Sequence, residues 1–301
     1  RGAVREHYVY AGNSPTNATD PTGRYIVITG GADEVKAFEA KLEQFKIKGF
    51  TGVAEGGAVT YGRPEGDVPT PDGYSLSAEI IWRMMISKSR RFEYATVRDL
   101  EASLRLRGAI VDAAQSAPFG FAVPGTGPAT QAGSSVFWTG SDALDAWWRP
   151  QPFAEVPNCL DCAGALLLIW GHALRATNGP LFESMVPIGT PAEFGALPNG
   201  LVDAGLFRSV ERVEAFDDWV PGDKGYMRNI SPPRIPAERG ENILYLGGSY
   251  DLGHPDFWTN SRFYGNNPNL HGGHSLREWA AEVSSWQNAQ AQLSTERFGP
   301  R

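Results

Sequence analysis

The apolar positions of the chain change their period along its length, and each change marks a different element. After Gly23, "RYIVITGG" is an extended apolar run. Val35, Phe38, Leu42 and Phe45 then recur at helical spacing, which predicts an amphipathic helix over 33–46. Another extended segment follows, so 24–61 reads as a small strand-helix-strand unit. Periodicity breaks in "GRPEGDVPTPDGYS", where Gly and Pro predict a linker near 62–75. The helical period returns in "SLSAEIIWRMMISK" and "TVRDLEASLRLRGAIVDAAQ". Aromatic and turn residues alternate in "SSVFWTGSDALDAWW". "CAGALLLIWGHALRATNG" is apolar on every side for most of its length, the pattern of a buried helix, and Asn178-Gly179 predicts a left-handed cap at its end. "ENILYLGGSYDLGH" reads as two extended runs joined at Gly247-Gly248, a hairpin.

Composition narrows what such a chain does. Its 301 residues are enough to bury a core, and 42% hydrophobic with 20% charged residues is globular composition. No apolar run approaches the ~18 residues of a membrane span. A net charge of -7 argues against a phosphate-neutralising surface and hence against nucleic acid as a partner. Two cysteines are too few for a disulfide framework. The opening "RGAVREHYVY" lacks both a start methionine and an apolar leader, so the chain is expected to be a piece of a longer protein.

Both cysteines lie within four positions, in "VPNCLDCAGALLLIWGHAL". Three chemistries explain the placement. Cys159 and Cys162 with His271 and His274 have the composition of a tetrahedral zinc site, but the histidines lie in a loop over a hundred residues later. A C-x-x-C redox pair should follow a buried strand, whereas "RPQPFAEVPN" precedes Cys159. A nucleophilic thiol needs stabilisation of its thiolate, and a helix N-terminus supplies it through unpaired N–H groups and the helix dipole. With Asp161 as N-cap, Cys162 falls in the first turn and Cys159 outside the helix. Such a thiol also needs a proton partner. His172 lies ten residues along the same helix, ~15 Å away, and His7 lies in the turn-rich start of the chain. His254, in "SYDLGHPDFW", is the candidate, and as an imidazolium it would also stabilise the thiolate.

Two stretches resemble known families. Tyr8, Tyr10, Asn13, Pro15, Asn17, Asp20, Pro21 and Gly23 match, in order, the motif that closes the core shell of Rhs/YD-repeat proteins. In that family a variable C-terminal module follows, very often a toxin. Residues 92–258 resemble the bacterial spore-type protein-glutamine gamma-glutamyltransferases, a transglutaminase family. Asp161-Cys162-Ala163-Gly164-Ala165 stands where the family has Glu-Cys-Ala-Thr-Ala, and "RGENILYLGGSYDLGHP" matches its R-G-E-N-V-I-x-L-G segment and the histidine after it, here His254. In place of the family's Asn-Pro-Glu segment stands "RNISPP", so no Cys-Glu pair is carried over, and Asp251 or Glu238 is a substitute acid if Asp161 does not suffice.

The resemblances imply an α+β fold, a papain/NlpC-P60-like cysteine transglutaminase core with an N-terminal strand-helix-strand extension. They divide the chain into 1–23, the end of an Rhs-like core; 24–75, the small unit and linker; and 76–301, the transglutaminase-like toxin domain. The implied catalytic residues are Cys162, His254 and Asp161, with no cofactor and no metal. The implied partners are a protein substrate with accessible Gln and Lys, a cognate immunity protein, and the Rhs core shell before release, with no nucleic acid and no membrane span. The implied location is that of a secreted effector acting in the target-cell cytoplasm. A cysteine peptidase or strict deamidase on the same fold, or a non-catalytic zinc-stabilised binding module, are the alternatives.

Overall fold

The computed structural model describes residues 25–55, 57–62, 75–87, 90–118, 120–121, 137–139, 159–160, 162–185, 191–193, 197–213, 218–229, 240–248, 257–267, 270–285, 291–293 and 295–301. Helices and sheets are mixed in an α+β architecture.

The apolar run after Gly23 forms strand β1 (Tyr25–Ile28), and the predicted amphipathic helix is α1 (Ala32–Gln44). The third element of this unit is a hairpin rather than one strand: β2 (Thr51–Glu55) and β3 (Ala58–Gly62) pair antiparallel across a turn at Gly57. The sheet does not end with the unit. β4 (Arg91–Tyr94), from beyond the predicted linker, pairs parallel with β1 and completes the order β2-β3-β1-β4. Helix α2 (Leu76–Ile86) precedes β4, capped by the Ser75 side chain. One core holds Ile26, Phe38, Ile80, Trp82, Phe92 and Leu100, so both sides of the predicted linker share their burial.

Helix α3 (Val97–Gln115) starts at a capping box, in which Thr96 and Asp99 each satisfy the other's backbone N–H. Helix α4 (Cys162–Thr177) packs along it. Ten of the sixteen residues of α4 are buried, as its all-round apolarity predicts. Its end differs from expectation. Asn178 does not adopt a left-handed conformation, and its side chain instead accepts from the Leu181 N–H, capping the next helix, α5 (Gly179–Met185).

Both long helices rest on a five-stranded antiparallel sheet. Its order is β13-β12-β11-β10-β14, with β10 (Lys224–Asn229), β11 (Gly240–Gly247), β12 (Arg262–Asn266), β13 (His271–His274) and β14 (Ala291–Leu293). Alternation along β11 sends Leu244 and Leu246 into the α3 and α4 core, and Ile243 and Tyr245 into a second core with Trp219, Phe263 and Trp279. Burial on both faces explains why "ENILYLGG" reads as a nearly continuous apolar run. β11 pairs with β10 and β12, and the run directly after Gly248, which the hairpin reading joins to it, lies outside the described residues. The two glycines end the strand: Gly247 has φ 94 and Gly248 φ 110, and a Cβ on Gly247 would stand 2.7 Å from the Glu79 carboxylate. His271 and His274, expected in a loop, form the edge strand β13.

Candidate active site

The site begins where α4 begins. Strand β7 (Cys159–Leu160) pairs parallel with β5 (Gly120–Phe121), and two residues later Cys162 is the first residue of α4. The positive dipole end of a sixteen-residue helix therefore lies at the thiol. The thiol forms no disulfide and is half-buried. Among the described residues, no cluster of three or more His, Cys, Asp or Glu is placed to hold a metal ion.

Across from α4, the sheet presents polar residues in an otherwise apolar face. Asn242 of β11 donates its side-chain N–H to the Cys162 sulfur at 3.1 Å. Register then fixes its neighbours. Lys224 lies opposite Leu244 and Tyr226 opposite Asn242, so Lys224 and Asn242 are diagonal neighbours on one face of the sheet. Tyr264 of β12 also lies opposite Leu244 and is buried.

Charge reports the same neighbourhood. Burial pushes the half-buried Lys224 ammonium below its usual range, while the negative forms of Cys162 and Glu296 hold it up. The Tyr264 phenol is pushed far up by burial, with Glu241 and Cys162 adding to it, so it stays neutral at any physiological pH. Glu241, a buried carboxylate beside Asn242, accepts from the Asn266 N–H at 3.2 Å.

Of the residues expected from sequence, Cys162 stands at the helix start. Asp161, His254, Asp251 and Glu238 lie outside the described residues, as does the Rhs-like stretch 1–23. For the zinc set, the side chains of Cys159 and His271 lie outside them as well, while His274 faces Glu278 at 3.7 Å. Trp170 and Trp219 fill separate cores, the first against Phe207 and Phe298, the second beneath the Arg297 guanidinium. Sequence reasoning passed over Lys224, Asn242 and Glu241. A signal for the last two existed, since "EN" places two polar residues at the head of a strand apolar on both faces.

No family model matches the chain, and no curated protein matches its sequence. Among solved structures, the chain is similar to a transglutaminase from Geobacillus stearothermophilus, determined without its C-terminal extension. The two are 18% identical with a TM-score of 0.49 over 68% of this chain and 93% of that one.

Proposed function

We propose that the chain is a cysteine acyltransferase of the transglutaminase kind, on a papain/NlpC-P60-like core, acting on protein glutamine. One observation carries the reading: a half-buried thiol on the first residue of a long buried helix, with its sulfur held by a side-chain donor from the facing sheet. The motif resemblance around Cys162 and His254 supports it.

In this mechanism the Cys162 thiolate attacks the carbonyl carbon of a glutamine side-chain amide. The tetrahedral oxyanion forms beside the N–H groups at the start of α4, where each positioned donor contributes about 3 kcal/mol in comparable sites. The C–N bond breaks, and the nitrogen leaves as ammonia with a proton from His254. The thioester left on Cys162 is then attacked by a lysine amine, which yields its proton to His254 as the sulfur departs. The product is an isopeptide cross-link. Water in place of the amine gives glutamate.

The test is incubation of the purified chain with glutamine- and lysine-bearing proteins, read by mass. Cross-linking joins chains with loss of about 17 mass units, deamidation adds about one, and peptidase action leaves fragments. Cys162→Ala is expected to abolish the change and Cys159→Ala to leave most of it. The opposite pattern reassigns the nucleophile, and stoichiometric bound zinc with no turnover favours the binding module.

The Rhs-like wording of residues 8–23 supports a role as the toxin end of a secreted Rhs effector, active in the target-cell cytoplasm. That role requires a cognate immunity protein covering the Cys162 cleft and an Rhs shell that encloses the module before release. Co-expression with the neighbouring small open reading frame is expected to rescue growth. Absence of both binding and rescue removes the toxin role.

A further inference from the structure

The sheet residues facing Cys162 have a function of their own. We propose that Asn242 and Lys224 hold the Cys162 sulfur as a thiolate before substrate arrives, Asn242 by its hydrogen bond and Lys224 by its charge, leaving histidine free for proton transfer. The inference rests on the reading of Cys162 as a nucleophile, but not on glutamine being the substrate.

Three observations carry it. The Asn242 amide touches the reacting atom itself, at 3.1 Å, and an amide N–H bonds an anionic sulfur more strongly than a neutral one. The antiparallel register of β10 and β11 puts Lys224 diagonally beside Asn242, on the face that α4 covers. Lys224 is also fixed from behind. Its backbone N–H donates to the Phe298 carbonyl at 2.7 Å, and its carbonyl accepts from the Phe298 N–H at 3.0 Å.

Several described groups near Lys224 and Cys162 carry no positive charge. Tyr226 and Tyr264 are phenols on the flanking strands, and Tyr264 is held neutral. Glu241 of β11 is an acid and acts on Tyr264. Glu296, in β15 (Glu296–Arg297), is an acid that also acts on Lys224. His172 lies further along α4, ten residues from the thiol. Lys224 is a cation whose field reaches Cys162.

The experiment is alkylation of the folded full chain by iodoacetamide across about pH 5 to 10, read by mass on the Cys162 peptide. Asn242→Asp keeps the shape but replaces a donor with an acceptor, and Lys224→Gln removes the charge. Each is expected to raise the pH midpoint by about one to two units, the size of a hydrogen bond to a charged group. Lys224→Arg should restore most of the wild-type midpoint. Midpoints unmoved in both Asn242→Asp and Lys224→Gln overturn the proposal, as does a shift in Lys224→Gln that arginine fails to rescue. Glutamine turnover on the same preparations separates the two readings. Shifted midpoints without wild-type turnover sink the transglutaminase reading and keep this one; turnover with unmoved midpoints does the reverse.

Discussion

Asp223 and Lys224 are adjacent in the chain, and the structure treats their charges in opposite ways. Asp223 is fully buried and saturated: it pairs with Arg90 and with Arg107 of α3 at 3.0 Å, and accepts from the Val220 N–H at 2.9 Å. Arg90 continues to Glu211 at 2.9 Å, and Glu211 to Arg208 at 2.6 Å. Arg107 also donates to the carbonyls of Pro221 and Pro300, so the hub ties α3 to the segment 295–301. Lys224 is half-buried, beside a thiol and Glu296. A buried charge is tolerated where acceptors and donors saturate it, and it then holds elements together. A charge held half-open beside a reactive atom spends folding energy to shape reactivity.

The largest break in this comparison is Asp223→Ala. Removing the carboxylate takes the ion-pair partner from buried Arg107 and leaves Arg90 to Glu211, a loss of about 3 to 5 kcal/mol, read as a fall in the denaturant midpoint. The hub also predicts acid sensitivity. Burial pushes the Asp223 carboxyl up, but Arg90 and Arg107 outweigh it and hold it below the usual carboxylate range. A depressed folded value contributes stability above the unfolded value, roughly pH 4, and that contribution is lost as pH falls below it. Asp223→Asn is expected to be less stable at pH 7 and to show a flatter loss on acidification than wild type. Equal acid slopes in the two proteins count against the hub as the source.

A second, smaller break is Glu79→Gln. The Glu79 carboxylate accepts from Arg83 at 2.9 Å, from the Tyr245 hydroxyl at 2.9 Å and from the Gly248 N–H at 3.1 Å, joining α2 to the exit of β11. The amide keeps the shape but takes the counter-charge from Arg83, at a cost of about 2 to 3 kcal/mol. Thermal unfolding measures it. A cost under about 0.5 kcal/mol, the size of a surface change, means that the cluster contributes only packing.

What the sequence revealed of each region follows from the range of the interactions. The start of α4 at Cys162 was legible because helix starts are written locally, and α1 and α3 for the same reason. The pairing of β4 with β1 was not, because no local pattern says which strand a short apolar segment joins. Asp223 looks like a turn residue in "PGDKG", and its partners Arg90 and Arg107 lie more than a hundred positions away in the chain. Lys224 looks like the exposed residue of an ordinary strand until the register sets it across from Leu244 and beneath α4. Asn242 and Cys162 are eighty residues apart, and only the packing of α4 on β11 joins them.

The smallest expected effect sharpens the contrast most. Lys224→Met removes a cation that burial disfavours, and methionine fills the same space with an unbranched apolar chain. In a Cys162→Ala background, where no thiolate repays the lysine, the exchange is expected to change stability at pH 7 by less than about 1 kcal/mol and in the stabilising direction. The pH dependence carries the sign. A lysine depressed in the folded state is charged in both states at low pH, where its burial cost is fully present. As pH rises past the folded value, only the unfolded chain keeps the proton, so stability increases toward the unfolded value of about 10.4. The methionine variant lacks that rise. Denaturant midpoints between about pH 7 and 10 should therefore climb for the lysine protein and stay flat for the methionine one. A loss of several kcal/mol on Lys224→Met, comparable to that of Asp223→Ala, would show Lys224 to be a structural cation like its neighbours in the hub, and the division between the two sites would fall.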